Sequence, residues 1–463
     1  MDENAFAKLA QDFRGQVIGR DHPDYEDARK LYNGMINKHP LLIARCLDVA
    51  DVIAGVNFGR EVGLPIAIRG GGHSGPGLGS VDDGIVIDVS PMKGVRVDPV
   101  SRTVRVGAGC VIGDVDHAAY AFGLAVPLGV VSTTGVAGLT LSGGHGHLSR
   151  RYGLAIDNLL EADVVLADGS FVTASETSNP DLLWALRGGG GNFGVVTSFL
   201  FRAHPIGEVY AGPIFWELSD APEIMRWYRG FVAGAPEDFN VVLGFHTVPP
   251  ADPFPQEHWG KLVCMLLVCD SGPIERGAAE VDELRAALPP PIIDLAGPMP
   301  YPALQSMFDP LFPTGMQVYW KGDFVNELSD EAIEAHLANA AKMTSPISMM
   351  HLNPIDGAIH RQPKDATAWN TRDAMWSMEI VGFDADPAKA NDVKQWAQRY
   401  WEDVHPYDRA GAYPNFMMDD EGEARIAASF GDNYPRLASL KQKYDPGNLF
   451  HVNHNIRPSA GLH

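Results

Sequence analysis

Residues 69–74 read Arg69-Gly70-Gly71-Gly72-His73-Ser74, directly after the apolar run 64–68. A strand running into three glycines brings bare backbone close to a ligand, because no Cβ intervenes and positive φ is open. Successive N–H groups on such a turn form a nest for an anion such as a pyrophosphate. His73 stands at the same crevice with an imidazole available as a nucleophile; the plainer alternative is a hydrogen-bonded loop histidine. The segment is not a Walker loop, since no Lys-Ser/Thr follows, and it lacks the spacing and helix of the dinucleotide fingerprint. A second chemical candidate is Glu379. A strand over 374–382 puts Trp376, Met378 and Ile380 on one face and Ser377, Glu379 and Val381 on the other. A carboxylate in so aromatic and apolar a run suits proton transfer near neutrality, unless that face is the exposed side of an outer strand.

The elements that must position these groups divide at about residue 205. Before it, short β-rich runs alternate with helices in a glycine-dense stretch. Strands are expected over 95–97 and 103–106 around Asp98-Pro99, and over 162–166 and 170–173 around Ala167-Asp168-Gly169. Helices are expected over 111–122, stopped by Gly123, and over 179–187, capped by Asn179 with Pro180 at its first position. Phe6, Leu9 and Phe13 recur at helical spacing near the N-terminus. After residue 205, helices over 221–232, 274–288, 331–342 and 387–404 separate strands over 241–245, 262–269, 317–324, 347–352 and 374–382. No ligand-loop glycines follow those strands, so an antiparallel sheet with helices on its outer face is preferred to a parallel one.

Composition narrows the partners. The 463 residues exceed one typical core, and 36 basic against 58 acidic residues give a net charge of −22. Such a surface repels nucleic acid and anionic lipid, although for most of it solubility is the simpler explanation. The cysteines Cys46, Cys110, Cys264 and Cys269 match no zinc spacing and read as buried free thiols. No metal site is expected, since His145-Gly146-His147 lacks the helical i, i+4 spacing of a ligand pair. The acidic Met1-Asp2-Glu3-Asn4 start, without an apolar core region, leads us to expect a cytoplasmic protein without a membrane partner.

Further segments join the first loop: Gly135-Val136-Ala137-Gly138, Ser142-Gly143-Gly144-His145-Gly146-His147-Leu148, Arg151-Tyr152-Gly153-Leu154, Asp157-Asn158, Arg187-Gly188-Gly189-Gly190-Gly191-Asn192-Phe193-Gly194-Val195-Val196-Thr197 and Lys443-Tyr444-Asp445-Pro446-Gly447-Asn448-Leu449-Phe450. In this order they resemble the berberine-bridge-enzyme-like branch of the vanillyl-alcohol-oxidase superfamily of FAD-linked oxidases, over nearly the whole chain. The layout is most similar to the bacterial 6-hydroxynicotine-oxidase type. The resemblance implies an α+β fold. It consists of an FAD-binding domain over 1–207 (two α/β subdomains), a substrate domain over 208–412 and a segment over 413–463 returning to the first. It implies FAD bound covalently through His73. In many members a cysteine makes a second bond; here Gly129-Val130-Val131-Ser132-Thr133 carries Val131 at that position, so single attachment is expected and a small substrate is favoured.

The resemblance further implies contacts to FAD from Arg69, Gly70, Gly71, Gly72, Ser74, Gly77, Pro127, Gly129, Thr133, Thr134, Gly135, Gly138, Gly143, Gly144, Gly146, Leu148, Gly153, Asp157, Asn158, Gly194, Val195, Asn453 and Asn455. Thr134 stands where the family governs access of oxygen, and its small side chain favours an oxidase. Glu379 stands where the family has a base or helper. Tyr413-Pro414-Asn415-Phe416 resembles the family's Tyr-x-Asn-Tyr segment, with Phe416 replacing the second tyrosine, so the proton falls to Glu379 or Tyr413. Tyr319, Trp320, Met349, His351 and Trp376 are expected to line the substrate pocket. The implied activity is hydride abstraction from a C–H bond of a cyclic amine, alcohol, sugar or phenolic compound, with O2 reduced to H2O2. A flavin dehydrogenase using another acceptor and a non-catalytic flavin or small-molecule binder are the alternatives.

Overall fold

The computed structural model describes residues 9–11, 13–408 and 411–459; Phe6, part of the expected N-terminal helix, lies outside them. In the first half, short β-branched runs pair into two larger sheets, beside a two-stranded pair of Leu124–Ala125 with His204–Pro205. Gln16–Gly19, Leu42–Arg45, Ile85–Asp88 and Ile66–Arg69 form a four-stranded sheet in that order, the last three parallel. Helix Val49–Val62 covers it. Asp48 caps this helix by accepting from the Ala50 and Asp51 N–H groups, and Gly63 ends it at φ 72°. Val95–Asp98, Thr103–Gly107, Val195–Arg202, Leu159–Val165 and Phe171–Ser175 form a second, antiparallel sheet. The two expected hairpins are thus present. Helix Pro180–Leu186 also forms, but Asn179 does not cap it: its backbone is left-handed at φ 49°, and its Nδ2 donates to the Thr173 carbonyl.

The second half builds one antiparallel sheet. Its order is Ile293–Asp294, Glu208–Glu217, Leu262–Asp270, Phe239–Thr247, Met349–Pro354, Trp376–Asp384 and Gln317–Val325, with Gly297–Pro300 pairing beside Glu208–Glu217. Helices Ala221–Gly234, Asp330–Ala340 and Ala390–Val404 close one face, where Trp376, Met378 and Ile380 join Tyr228 and Tyr400 in a core. Strand Glu208–Glu217, not among the strands expected above, runs through Gly212-Pro213. Trp376–Asp384 lies one strand in from the sheet edge, and its Glu379 face turns to the first half of the molecule.

The C-terminal segment packs back onto the first half. Lys441 Nζ donates to the carbonyls of Asn192 (2.7 Å) and Phe450 (2.8 Å), and the Ile456 N–H donates to Asn192 Oδ1 at 3.0 Å. Leu437, Phe450 and Ile456 belong to the same apolar core as Val104, Phe193 and Phe199. All four cysteines are buried and free. No helix among the described residues is long and apolar enough to cross a membrane.

Candidate active site

Where the two halves meet, a cavity is lined from one side by glycine loops and from the other by the bare face of the eight-stranded sheet. Strand Ile66–Arg69 ends at Gly70-Gly71-Gly72, and the loop can lie flat only because it is glycine. A Cβ on Gly71 would sit 2.5 Å from Gly135 Cα, and one on Gly135 would sit 2.5 Å from the Gly71 nitrogen. Two bare backbones therefore touch. Gly71→Ala must push them apart, at an expected cost of about 1–3 kcal/mol; a melting midpoint unchanged from wild type would contradict this contact.

His73 follows, half-buried. Its ring stacks on Tyr32 with centroids 3.8 Å apart at 18°, and its Nε2 lies 3.2 Å from Thr133 Oγ1. Burial lowers its pKa from 6.5 to about 4, so at neutral pH the ring keeps a nucleophilic lone pair. The sequence offers no local signal for Tyr32, an aromatic 41 positions upstream. Arg69 carries the loop from behind: its guanidinium binds the buried Asp88 carboxylate at 2.5 Å and the Ala28 carbonyl at 2.7 Å. Arg69 thus holds the loop from behind while still bordering the cavity.

On the opposite wall, pairing register decides which side chains face inward. Trp320 lies opposite Val381 and Gly322 opposite Glu379, while Met349 and His351 lie opposite Val381 and Glu379. These inward positions alternate with residues of the helix-covered core. Trp320, Met349, His351 and Glu379 line the cavity. Tyr319 and Trp376 do not, which corrects two expectations. Each is adjacent in parity to the core face: Tyr319 Oη donates to Asp420 Oδ2 at 2.6 Å, and Trp376 packs against Tyr228. Glu379 Oε1 accepts from His351 Nδ1 at 2.9 Å, and His351 Nε2 lies 2.7 Å from His246 Nε2. His246 was not singled out from the sequence; its only signal is two-residue spacing from Val242 and Gly244 on the same strand face.

Tyr413 also lines the cavity. Its hydroxyl oxygen accepts from the Gly144 N–H at 3.0 Å and Asn415 Nδ2 at 2.7 Å, and burial pushes its pKa up to about 12. It therefore stays a phenol at neutral pH. Its ring packs against His145, Trp369 and Phe416.

Of the other expected contacts, Gly70, Gly72, Ser74, Gly129, Thr134, Gly135, Gly138, Gly194 and Asn453 line the cavity, and Thr133 reaches it through His73. The rest stand behind the wall. Asp157 takes both Arg372 N–H groups at 2.8 Å, and Asn158 binds the Tyr152 and Leu154 carbonyls and His204. Gly77 abuts Ile36, Gly143 abuts Trp369, Gly144 abuts Ala155, Gly146 abuts the Leu128 carbonyl and Gly153 abuts Asp157. Leu148 is in a core cluster, and Pro127, Val195 and Asn455 are likewise off the lining. None of these residues is on the cavity lining.

His145 and His147 do reach the cavity. His145 Nε2 and both ring nitrogens of His147 are buried with no hydrogen-bond partner in the protein. Burial lowers both rings from 6.5 to about 4. The unfolded chain therefore binds protons on them first, so their contribution to stability is intact above pH 6.5 and is lost as pH falls toward 4. The melting midpoint should drop across that window, less steeply in His147→Gln; parallel curves would rule His147 out as a contributor.

Comparison with known proteins agrees with this layout. Residues 40–175 match the FAD binding domain family model, and residues 412–457 match the berberine and berberine-like model. An FAD-linked oxidoreductase of Dictyostelium discoideum is 29% identical, covering 97% of this chain and 96% of its own. The (R)-6-hydroxynicotine oxidase of Paenarthrobacter nicotinovorans is 30% identical, over 96% of this chain and 97% of its own. The structure of a variant of BBE-like 1 from Physcomitrella patens superposes with a TM-score of 0.88 at 26% identity, over 99% of each chain. The chain belongs to the berberine-bridge-enzyme-like family of FAD-linked oxidoreductases, with the two-domain α+β fold of the vanillyl-alcohol-oxidase superfamily. The residues present fit FAD: glycines a Cβ would jam, and buried polar atoms of His145, His147 and Asn453 left without protein partners.

Proposed function

We propose that this enzyme oxidises a small, uncharged or cationic organic molecule, with Glu379 accepting the proton released as a hydride leaves the substrate C–H bond. When bound, FAD supplies a two-electron acceptor that O2 reoxidises to give H2O2. The observation that carries the reading is the placement of Glu379 across the cavity from the His73 loop, on an inward sheet position. Residues 69–74, 129–138 and 188–194 would hold the cofactor, with His73 as its single covalent anchor. Val131 lines the cavity where a second, thiol anchor would stand. Between the two proton acceptors the geometry favours Glu379, because the Tyr413 oxygen already takes two N–H donors and its phenol resists ionisation.

The substrate class follows from charge and shape. The sheet wall combines Trp320, Met349, Val381 and Phe383 with Glu379, and among the described residues the only Lys or Arg on the lining is Arg69, bound to Asp88. A carboxylate or phosphate substrate would meet Glu379 without a counter-charge, whereas an amine, alcohol, sugar or phenol would not. An anaerobic panel of amines, alcohols, sugars, phenols and carboxylic acids tests this through bleaching of the flavin. Bleaching is expected only from members without a negative charge; reduction solely by acids would refute the assignment. Reduced enzyme mixed with aerated buffer should recover its yellow colour promptly with one H2O2 per flavin. Recovery only over minutes would identify a dehydrogenase instead.

A further inference from the structure

The row Glu379–His351–His246 crosses three adjacent strands, Trp376–Asp384, Met349–Pro354 and Phe239–Thr247, on the inward face of the sheet. Its contacts are 2.9 Å from Glu379 Oε1 to His351 Nδ1 and 2.7 Å from His351 Nε2 to His246 Nε2. The backbone makes room for it. A Cβ on Gly244 would lie 2.5 Å from His351 Cδ2 and 3.2 Å from His246 Nε2, so the rings meet only over a glycine. All three side chains border the cavity.

Hydrogen-bond chemistry gives the row a direction. An ionised carboxylate only accepts, so the ring nitrogen beside Glu379 must carry the hydrogen. A neutral His351 with Nδ1–H has a bare Nε2, which must then receive an N–H from His246. Burial keeps His246 well below its ordinary pKa and therefore neutral, with one hydrogen to place. Nδ1 of His246 is left as the lone pair. The alternative, with His246 accepting, requires His351 to be an imidazolium or Glu379 to be protonated.

We propose that His246 and His351 are positioning residues for the proton-accepting Glu379. His246 Nε2–H fixes His351 as the Nδ1–H tautomer; His351 in turn donates to Oε1, so that the substrate proton is received at Oε2. The inference rests on the reading of Glu379 as the acceptor and adds the device that orients it. Oε1 accepts from His351 whether Glu379 is carboxylate or carboxylic acid, so the row need not rearrange during the transfer. The arrangement resembles the way a second hydrogen bond selects the tautomer of a functional histidine.

The test is made on the flavin-loaded, 15N-histidine-labelled enzyme, with His351→Asn and His246→Gln spectra used for assignment. Long-range proton–nitrogen correlation at pH 7–8 should show His351 as Nδ1–H and His246 as Nε2–H, both neutral. His351 found as Nε2–H or doubly protonated would overturn the proposal. A kinetic arm uses whichever amine or alcohol of the panel bleaches the flavin. His351→Leu should lower the limiting rate of anaerobic reduction at least about tenfold, as expected for losing a hydrogen bond to a charged group, with a half-saturating concentration within about twofold. His351→Asn, which keeps an N–H where Nδ1 stood, should recover most of that loss, and His246→Leu should fall between the two. If His351→Leu leaves the limiting rate intact while Glu379→Gln abolishes it, the positioning role fails and the acceptor reading survives. If Glu379→Gln is itself without effect, the acceptor reading fails first.

Discussion

Glu379→Gln is expected to slow anaerobic flavin reduction by about 10²–10⁴-fold while leaving cofactor content and melting midpoint close to wild type. The magnitude is the usual contribution of a positioned general base. The amide keeps the shape of the side chain and an oxygen for the 2.9 Å contact with His351 Nδ1, so the sheet face has no reason to repack. What it loses is the ability to accept a proton. Rapid-mixing absorbance of the oxidised flavin band, with the best substrate of the panel, reads the effect directly. A reduction rate within threefold of wild type would remove Glu379 from the chemistry and return the burden to Tyr413. Tyr413 is a weaker candidate because its oxygen is held by Gly144 and Asn415, so Tyr413→Phe should cost less than Glu379→Gln.

His73→Ala should convert a flavin that stays in the acid-precipitated pellet into one released entirely to the supernatant. The neutral imidazole that burial maintains is the form able to make a bond to carbon, and the stacked Tyr32 and the Thr133 hydroxyl fix its orientation. The glycine loop survives the substitution, so non-covalent binding is expected to persist with a weakened hold. Mass spectrometry supplies the second readout: the wild-type chain should carry one FAD adduct on the peptide containing His73, and the variant none. Yellow supernatant from wild type, or an adduct on another peptide, would contradict the single anchor. All four cysteines are buried, and none lines the cavity, which leaves the thiol route without a donor.

Much of this arrangement was legible without coordinates because it is local. The glycine loop ending at His73, the hairpin around Asp168-Gly169, and the alternation that sets Glu379 opposite Met378 and Ile380 are short-range consequences of backbone freedom and two-residue strand period. Motif order carried the family and hence the fold. The same alternation separates Tyr319, on the helix-covered face, from Trp320 on the cavity face, and Trp376 from Glu379.

The pairings between distant segments have no such local origin. Tyr32 reaches His73 from another element, and Arg372 claims Asp157 across 215 positions, turning a motif residue into a cross-brace between the halves. His246, His351 and Glu379 come from three strands separated by helices, so their 2.7 and 2.9 Å contacts depend on sheet order and register, which no local pattern encodes. Local pattern selects the residues able to face a ligand; long-range strand pairing selects which of them face one another, because register is set by packing of the whole sheet.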